Sequence, residues 1–170
     1  SFGTSGVAGP HHFSGELFKS FTGVSLLHIP YKGGAPAMTD LMGNQVPMLF
    51  SSLAPAVGPY KSGKIRALAV TRSTRLPELP DTPTMIESGV PGIDYTSWQG
   101  IVAPARTPPA IIERLHREIV AALNTGELRR RLTEEGSEIG GMPPAEFAAY
   151  IRSEIAKWTK VVREAGIKVE

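Results

Sequence analysis

The chain has 170 residues, with 18 basic and 16 acidic side chains and no cysteine. This length allows one ordinary domain or two small ones, and a 41% hydrophobic content excludes a disordered chain. A formal charge of +2 does not favour nucleic acid as a partner, and the lack of cysteine excludes thiolate metal sites, disulfides and thiol catalysis.

The first half of the chain alternates short apolar runs with helical patterns. Strands are predicted at the run that ends near residue 4 and at 24–29, 46–50 and 65–70. Helices are predicted at 10–21, 35–42 and 54–61. Because strands that are joined through helices pair in parallel, this alternation predicts an α/β sheet with parallel pairs.

The second half of the chain is dominated by helical patterns. A proline-rich loop is predicted over 76–91, with a short helix near 84–88, and is followed by an extended segment over 93–102. Two helices are predicted at 108–124 and 127–135. A last helix begins at Pro143-Pro144, since apolar residues recur from Phe147 to Val162 at steps of three and four.

A loop of small residues connects the first predicted strand to the helix that starts at Pro10. Such a loop brings backbone N–H groups and the positive end of the helix dipole to one place, which favours an anion, and Thr4 and Ser5 add hydroxyl groups. The glycines are spaced GxxGxxG, so the loop is neither a dinucleotide fingerprint nor a GxSxG elbow. The alternative interpretation is a plain turn before a solvated helix start.

A second loop of this kind, rich in glycine, follows the run that ends at Pro30. Ligands of open α/β sheets bind outside the carboxyl ends of the strands, so we expect the two loops to line one crevice. Tyr31 or Lys32 would then reach a bound carboxylate. The alternative is that Tyr31 packs and that Lys32 lies along the surface with its charge in water.

Three other patterns do not support a site. His11 and His12 are adjacent at a helix start, so we expect no metal there, with one ring capping or packing and the other exposed. The stretch 58–64 matches GxxxxGK, but Ile65 replaces the Ser or Thr that would hold magnesium. No paired-carboxylate or Ser/His/Asp set can be assembled, so we predict no catalytic residue, no metal and no cofactor.

Six ordered motifs along the chain resemble those of the periplasmic receptors of tripartite tricarboxylate transporters, the Bug family. They are GTSG at 3–6 with GELF at 15–18, HIPYKGGAPA at 28–37, SGKIRALAV at 62–70, LPDTPT at 79–84, Trp98 with APA at 103–105, and the closing helix over 147–158. The resemblance covers the whole chain and identifies it as a member of this family.

The resemblance implies an α/β fold of the periplasmic-binding-protein type, a two-domain clamshell that captures a small organic carboxylate and passes it to a membrane permease. In this family the ligand lies between the domains, held by backbone amides, hydroxyl groups and water. Carried over position by position, the ligand-binding residues would be Thr4, Ser5, Gly6, Gly9, Pro10, His12, Tyr31, Lys32, Gly33 and Ser51. Gly9 departs from a common Ser, which removes one hydroxyl.

The resemblance also divides the chain. Residues 1–95 would form the complete second, ligand-cleft domain, and residues 96–170 would form the helical C-terminal portion of the first domain without its N-terminal strands. The chain starts at Ser1 with no signal-type segment, so we expect a periplasmic receptor truncated at its N-terminus. The helices of the second part would then lack their sheet, and we expect their apolar faces to pair in a homodimer.

Two other functions stay open at this point. A sensor module would use the same clamshell to present a surface to a signalling partner. A hydrolase or transferase that uses the loop from Thr4 to His12 is less favoured, because it would need a nucleophile and a base within hydrogen-bond distance.

Overall fold

The structure is a computed structural model that describes residues 1–134 and 136–164. Two compact units divide the chain, an N-terminal unit (Ser1–Ser97) and a C-terminal unit (Trp98–Arg163). The N-terminal unit contains β1 (Phe2–Thr4), α1 (Pro10–Thr22), β2 (His28–Pro30), α2 (Gly34–Met42) and α3 (Ala54–Lys61). The C-terminal unit contains α4 (Pro109–Leu123), α5 (Gly126–Glu134) and α6 (Pro144–Glu164).

The six long helices lie close to their predicted bounds. The predicted end of one of them at Glu135, and residues 165–170 of the predicted first-domain portion, lie outside the described residues. Within the described ranges, no helix is both long enough and apolar enough to cross a membrane.

The sheet of the N-terminal unit is parallel, as predicted. β1 pairs with β2, with Phe2 opposite His28 and Thr4 opposite Pro30. The other edge of β1 contacts the chain at Leu49, where Met48 O accepts a hydrogen bond from the amide of Gly3 at 2.8 Å. β1 therefore lies between two parallel neighbours.

The predicted strands are much shorter in the structure. The run over 24–29 pairs only at its end, in β2, while the runs over 46–50 and 65–70 contribute single bridges at Leu49 and Val70. Pro30 and Pro47 have no N–H to donate to a ladder, which limits pairing at both places. The short helix predicted near 84–88 is a turn, so that prediction is wrong, and the segment 93–102 has no regular secondary structure.

The core of the N-terminal unit is built around β1. Phe2 is completely buried, and Leu17 of α1 is 2% exposed. Gly15 allows α1 to approach β1 closely, because a Cβ at that position would lie 2.2 Å from Cε2 of the Phe2 ring. The other buried apolar residues are Ala37, Met38, Val46, Leu79 and Ile93.

The C-terminal unit is helical, and none of its described residues is buried. Its aromatic side chains form a cluster in which the ring of Trp98 meets those of Phe147 and Tyr150 edge to face, with centroids 5.6 Å apart in both pairs. Glu154 accepts hydrogen bonds from the indole of Trp158 at 2.8 Å and from that of Trp98 at 3.3 Å. These polar contacts orient the cluster without enclosing it.

Candidate functional site

Three strand-to-helix turns lie at one edge of the sheet. β1 leads into α1, β2 into α2, and the bridge at Leu49 into α3. Because the three segments are parallel, their carboxyl ends share this edge. The amides of Tyr31 and Gly33 donate to the carbonyl oxygens of Thr4 and Ser5, both at 3.0 Å. The two loops named from the sequence are therefore side by side.

The starts of the three helices carry no side-chain cap. Gly9 precedes α1 in an extended conformation, and Gly33 precedes α2 with a φ of 111°, which a residue with a side chain rarely adopts. No side chain caps α1, α2 or α3. The N–H groups of a helix's first turn have no partner within the helix, so these starts offer donors at the edge of the sheet.

Thr4 holds the first turn from within. Its side chain is fully buried, and its Oγ1 donates to the carbonyl oxygen of Gly6 at 2.8 Å and lies 2.7 Å from Nε2 of His28. A hydroxyl has one proton, so His28 must donate from Nε2 to Thr4. The hydroxyl proton of Thr4 is therefore engaged in the hydrogen bond to the carbonyl oxygen of Gly6, within the turn.

His12 is buried and bonds to the turn before α1, so it packs as predicted for one of the two adjacent histidines. Its Nδ1 accepts a hydrogen bond from the amide of Ala8 at 3.1 Å, and its Nε2 lies 3.7 Å from Oε1 of Glu16. Ala8 has a φ of 59°, in the left-handed region that costs a residue with a Cβ about 1 kcal/mol. The bond to His12 helps to hold Ala8 in that conformation.

The rings of His12 and His28 stack on each other. Their centroids are 3.9 Å apart with the planes 10° from parallel, and the ring of Phe2 stacks on His28 at 5.1 Å. Burial lowers the pKa of His28, and the neighbouring His12 adds to this, while Glu16 opposes it. The neutral form of the His28 ring is therefore favoured in this stack.

His11 was expected to be the exposed member of its pair, and the structure corrects this. The residue is half-buried, and its Nδ1 lies 2.7 Å from Oγ of Ser5. Burial lowers the pKa of His11, so the neutral ring is favoured there too. The cause is the fold of the first turn, which brings Ser5 back over the start of α1.

The side chain of Tyr31 is engaged beside the second turn. Its hydroxyl donates to Oδ2 of Asp40 at 2.8 Å, and its ring packs against Gly3, where a Cβ would lie 3.2 Å from Cε2. Burial and the Asp40 carboxylate raise the pKa of Tyr31. Lys32 is exposed beside it, and no carboxylate of the described chain pairs with it. Of these two residues, Lys32 has the free charge.

The third turn lies beside the second. A Cβ at Gly34, the first residue of α2, would lie 3.8 Å from Cγ of Pro55 in the first turn of α3. Ser51 precedes α3, is half-buried, and donates from Oγ to the carbonyl oxygen of Ser52 at 3.0 Å. The remaining candidates lie in the first turn, with Gly6 and Gly9 half-buried and Pro10 exposed.

His28 and Asp40 hold the site and were not among the candidates from the sequence. Phe2, Thr4 and His28 lie on one face of the sheet, because side chains alternate along β1 and β2 and Phe2 is opposite His28. The register of β1 against β2 is therefore what sequence reasoning lacked in order to place His28 beside Thr4. In the described part of the chain, no three His, Cys, Asp or Glu residues are arranged to hold a metal ion.

Comparison with known proteins gives a consistent result. Residues 1–167 match the TctC family, described as "Tripartite tricarboxylate transporter family receptor". The chain is 34% identical to Protein BugT of Bordetella pertussis over 170 residues, which is 100% of this chain and 52% of BugT. It spans about half the length of most of the curated relatives it matches.

Two solved structures resemble the fold closely. "R. palustris Rpa4515 with adipate" has a TM-score of 0.86 at 37% identity, covering 98% of this chain and 56% of that one. The "periplasmic binding protein BugD" has a TM-score of 0.87 at 32% identity, covering 98% and 57%. These neighbours confirm the predicted fold class, and the receptor description agrees with the expectation that the protein is not an enzyme. The chain belongs to the TctC family of tripartite tricarboxylate transporter receptors, which confirms the family indicated by its motifs.

Proposed function

We propose that the chain binds a small organic carboxylate at the carboxyl edge of its sheet, as part of an extracytoplasmic solute-binding receptor. The observation that carries this proposal is the meeting of three uncapped helix starts at that edge. Backbone N–H groups and aligned helix dipoles favour a carboxylate there and supply no group that would react with it. The adipate named for Rpa4515 supports this ligand class.

The candidate residues divide by the roles that their contacts support. Lys32 supplies charge at the edge, and Gly33 lets the second turn approach without a side chain. Thr4, His12 and Tyr31 act from behind, because their polar atoms bond to the protein itself. The direct contacts are proposed to come from the side chain of Lys32 and from the backbone of Ser5, Gly6, Gly9, Pro10, Gly33 and Ser51.

The proposal extends to the compartment, the partner and the domains. A periplasmic location and a membrane permease as partner are proposed, supported by the neighbour BugD, a periplasmic binding protein, and by the transporter that the family's description names. The N-terminal unit would be the second domain of the clamshell, and the C-terminal unit the helical part of the first domain. The predicted homodimer stays a proposal, supported by the exposure of Ile101, Val102 and Ile155 at 73%, 79% and 61%. A monomeric mass in light scattering at high concentration would contradict it.

A thermal-shift titration with adipate tests the binding. A ligand that binds only the folded chain stabilises it by about 2.7 kcal/mol at a hundredfold excess over its Kd, so the melting temperature should rise with adipate. Lys32→Gln should weaken this rise, because it removes the free positive charge at the edge. Lys61→Gln, an exposed lysine at the end of α3, should behave like the unmodified chain.

An unchanged melting temperature at every adipate concentration, or equal losses in Lys32→Gln and Lys61→Gln, would contradict the proposal.

The same samples test the enzyme alternative, for which Ser5 and His11 supply a hydroxyl and a ring nitrogen 2.7 Å apart. No described carboxylate orients His11, and the receptor family argues against turnover. We therefore expect that the chain has no ester hydrolysis that depends on Ser5, so Ser5→Ala should not change the rate measured.

A further inference from the structure

We infer that His12 and His28 are positioning residues for the first turn, and that their neutral rings hold it in the shape that binds the carboxylate. The turn runs from Thr4 to Gly9. Lower pH then weakens binding through the turn rather than through a contact with the ligand. The inference rests on the proposed function for its consequence, but its structural part can be tested without any ligand.

His28 holds the beginning of the turn. Its Nε2 donates a hydrogen bond to Oγ1 of Thr4 at 2.7 Å, and Oγ1 of Thr4 donates one to the carbonyl oxygen of Gly6 at 2.8 Å. The amide of Gly6 also faces Oγ1 of Thr4, at 3.4 Å. This partly buried pair of hydrogen bonds fixes both the tautomer of His28 and the direction in which Gly6 presents its peptide.

His12 holds the end of the turn. Its Nδ1 accepts from the amide of Ala8 at 3.1 Å, which requires that Nδ1 carries no proton. Ala8 has a positive φ, so its conformation depends on being held. A proton on Nδ1 would set two donors against each other, release Ala8 and free the turn just before α1.

The groups that face the rings of His12 and His28 make the shape of the first turn sensitive to pH. α1 supplies Glu16, at 3.7 Å from Nε2 of His12, and Lys19, which bonds to Glu16 at 2.8 Å. β1 supplies only the neutral Phe2 and Thr4. Because the rings are stacked 3.9 Å apart, a charge on one disfavours a charge on the other. Burial also favours the neutral form of His28.

Nuclear magnetic resonance of the 170-residue chain tests the structural part directly. At pH 7.5 we expect a scalar coupling across the hydrogen bond between the amide nitrogen of Ala8 and Nδ1 of His12. We also expect the Nε2–H tautomer for both rings. Once Nδ1 of His12 is protonated at lower pH, the coupling should vanish and the resonances of Ala8 and Gly6 should move together. A protonated Nδ1 of His12 at pH 7.5, or an Ala8 resonance that does not follow His12, would overturn the inference.

Adipate titrations at pH 7.5 and 6.0 test the consequence. Loss of one net hydrogen bond corresponds to an affinity about fivefold weaker, which is the largest weakening we expect for the unmodified chain as the pH falls. His12→Asn keeps an acceptor near the amide of Ala8 but cannot titrate, so its affinity should fall less. His116→Gln, at a histidine of the C-terminal unit, should follow the unmodified chain. Protonation of adipate itself is common to all variants and cancels in the comparison.

The outcomes separate the inference from the proposed function. If adipate binds and His12→Asn follows the same pH profile as the unmodified chain, the positioning role is wrong and the carboxylate site stands. If adipate does not bind at either pH but the coupling between Ala8 and His12 is present and is lost at low pH, the positioning role stands and the carboxylate site is wrong.

Discussion

The N-terminal and C-terminal units bury their apolar residues to very different extents. In the N-terminal unit, Phe2 and Leu17 are almost completely removed from solvent, because the sheet and α1 pack against each other. In the C-terminal unit, Leu115 of α4 and Ile155 of α6 are 46% and 61% exposed, although both helices are strongly amphipathic. An apolar stripe predicts which side of a helix faces a core, but burial also needs a surface to pack on.

The largest expected difference between the units comes from removing one leucine side chain. Leu17→Ala should lower the free energy of unfolding by about 3 kcal/mol, since it leaves a cavity beside Phe2. Leu115→Ala should cost less than about 1 kcal/mol, because that side chain is already half in water. Urea unfolding followed by circular dichroism measures both, and equal losses would contradict the comparison.

A glycine-to-alanine pair gives the next largest effect. Gly15→Ala should destabilise the N-terminal unit by about 2 kcal/mol, because the new methyl group would overlap the Phe2 ring. Gly126→Ala, at the start of α5 with open space around it, should be neutral or stabilising by up to about 1 kcal/mol. Thermal unfolding of the two variants checks the sign, and a destabilising Gly126→Ala would count against the openness of the C-terminal unit.

The carboxylate in the aromatic cluster tests whether the C-terminal unit has specific packing. Glu154→Leu should cost about 1 kcal/mol, since it leaves the indole N–H groups of Trp98 and Trp158 without their acceptor. Glu118→Leu, at an exposed residue of α4, is the control and should have little effect. Both tryptophans lie in this unit, so tryptophan emission during urea unfolding reports on it alone.

The smallest expected effect is a pH dependence confined to the N-terminal unit. The pKa of His28 is lowered in the folded state from its ordinary value of 6.5, so the unfolded chain takes up the proton first as the pH falls. Stability should therefore be complete above pH 6.5 and decrease below it. His28→Gln should reduce the drop in melting temperature between pH 7.5 and 5.5, and His116→Gln should not. An identical drop in His28→Gln would exclude His28 as its source.

Much of the fold was predictable because helices are encoded locally. Pro10, Pro109 and Pro144 begin their helices as expected, and Gly43 ends α2. The strands were less predictable, because a strand exists only where a partner accepts its hydrogen bonds. The run over 65–70 has the right composition but bonds only at Val70.

Three features of the site were predictable from the sequence alone. They are the family motifs, the small residues of the two turns, and the prolines and glycines that begin α1 and α2. These are properties of neighbouring residues, and they can be read along the sequence. Only the tertiary structure decided that His28 meets Thr4 and His12, that His11 reaches Ser5 and that Tyr31 turns to Asp40. Those contacts depend on the register of β1 against β2 and on how closely α1 approaches Phe2, and no local pattern specifies either.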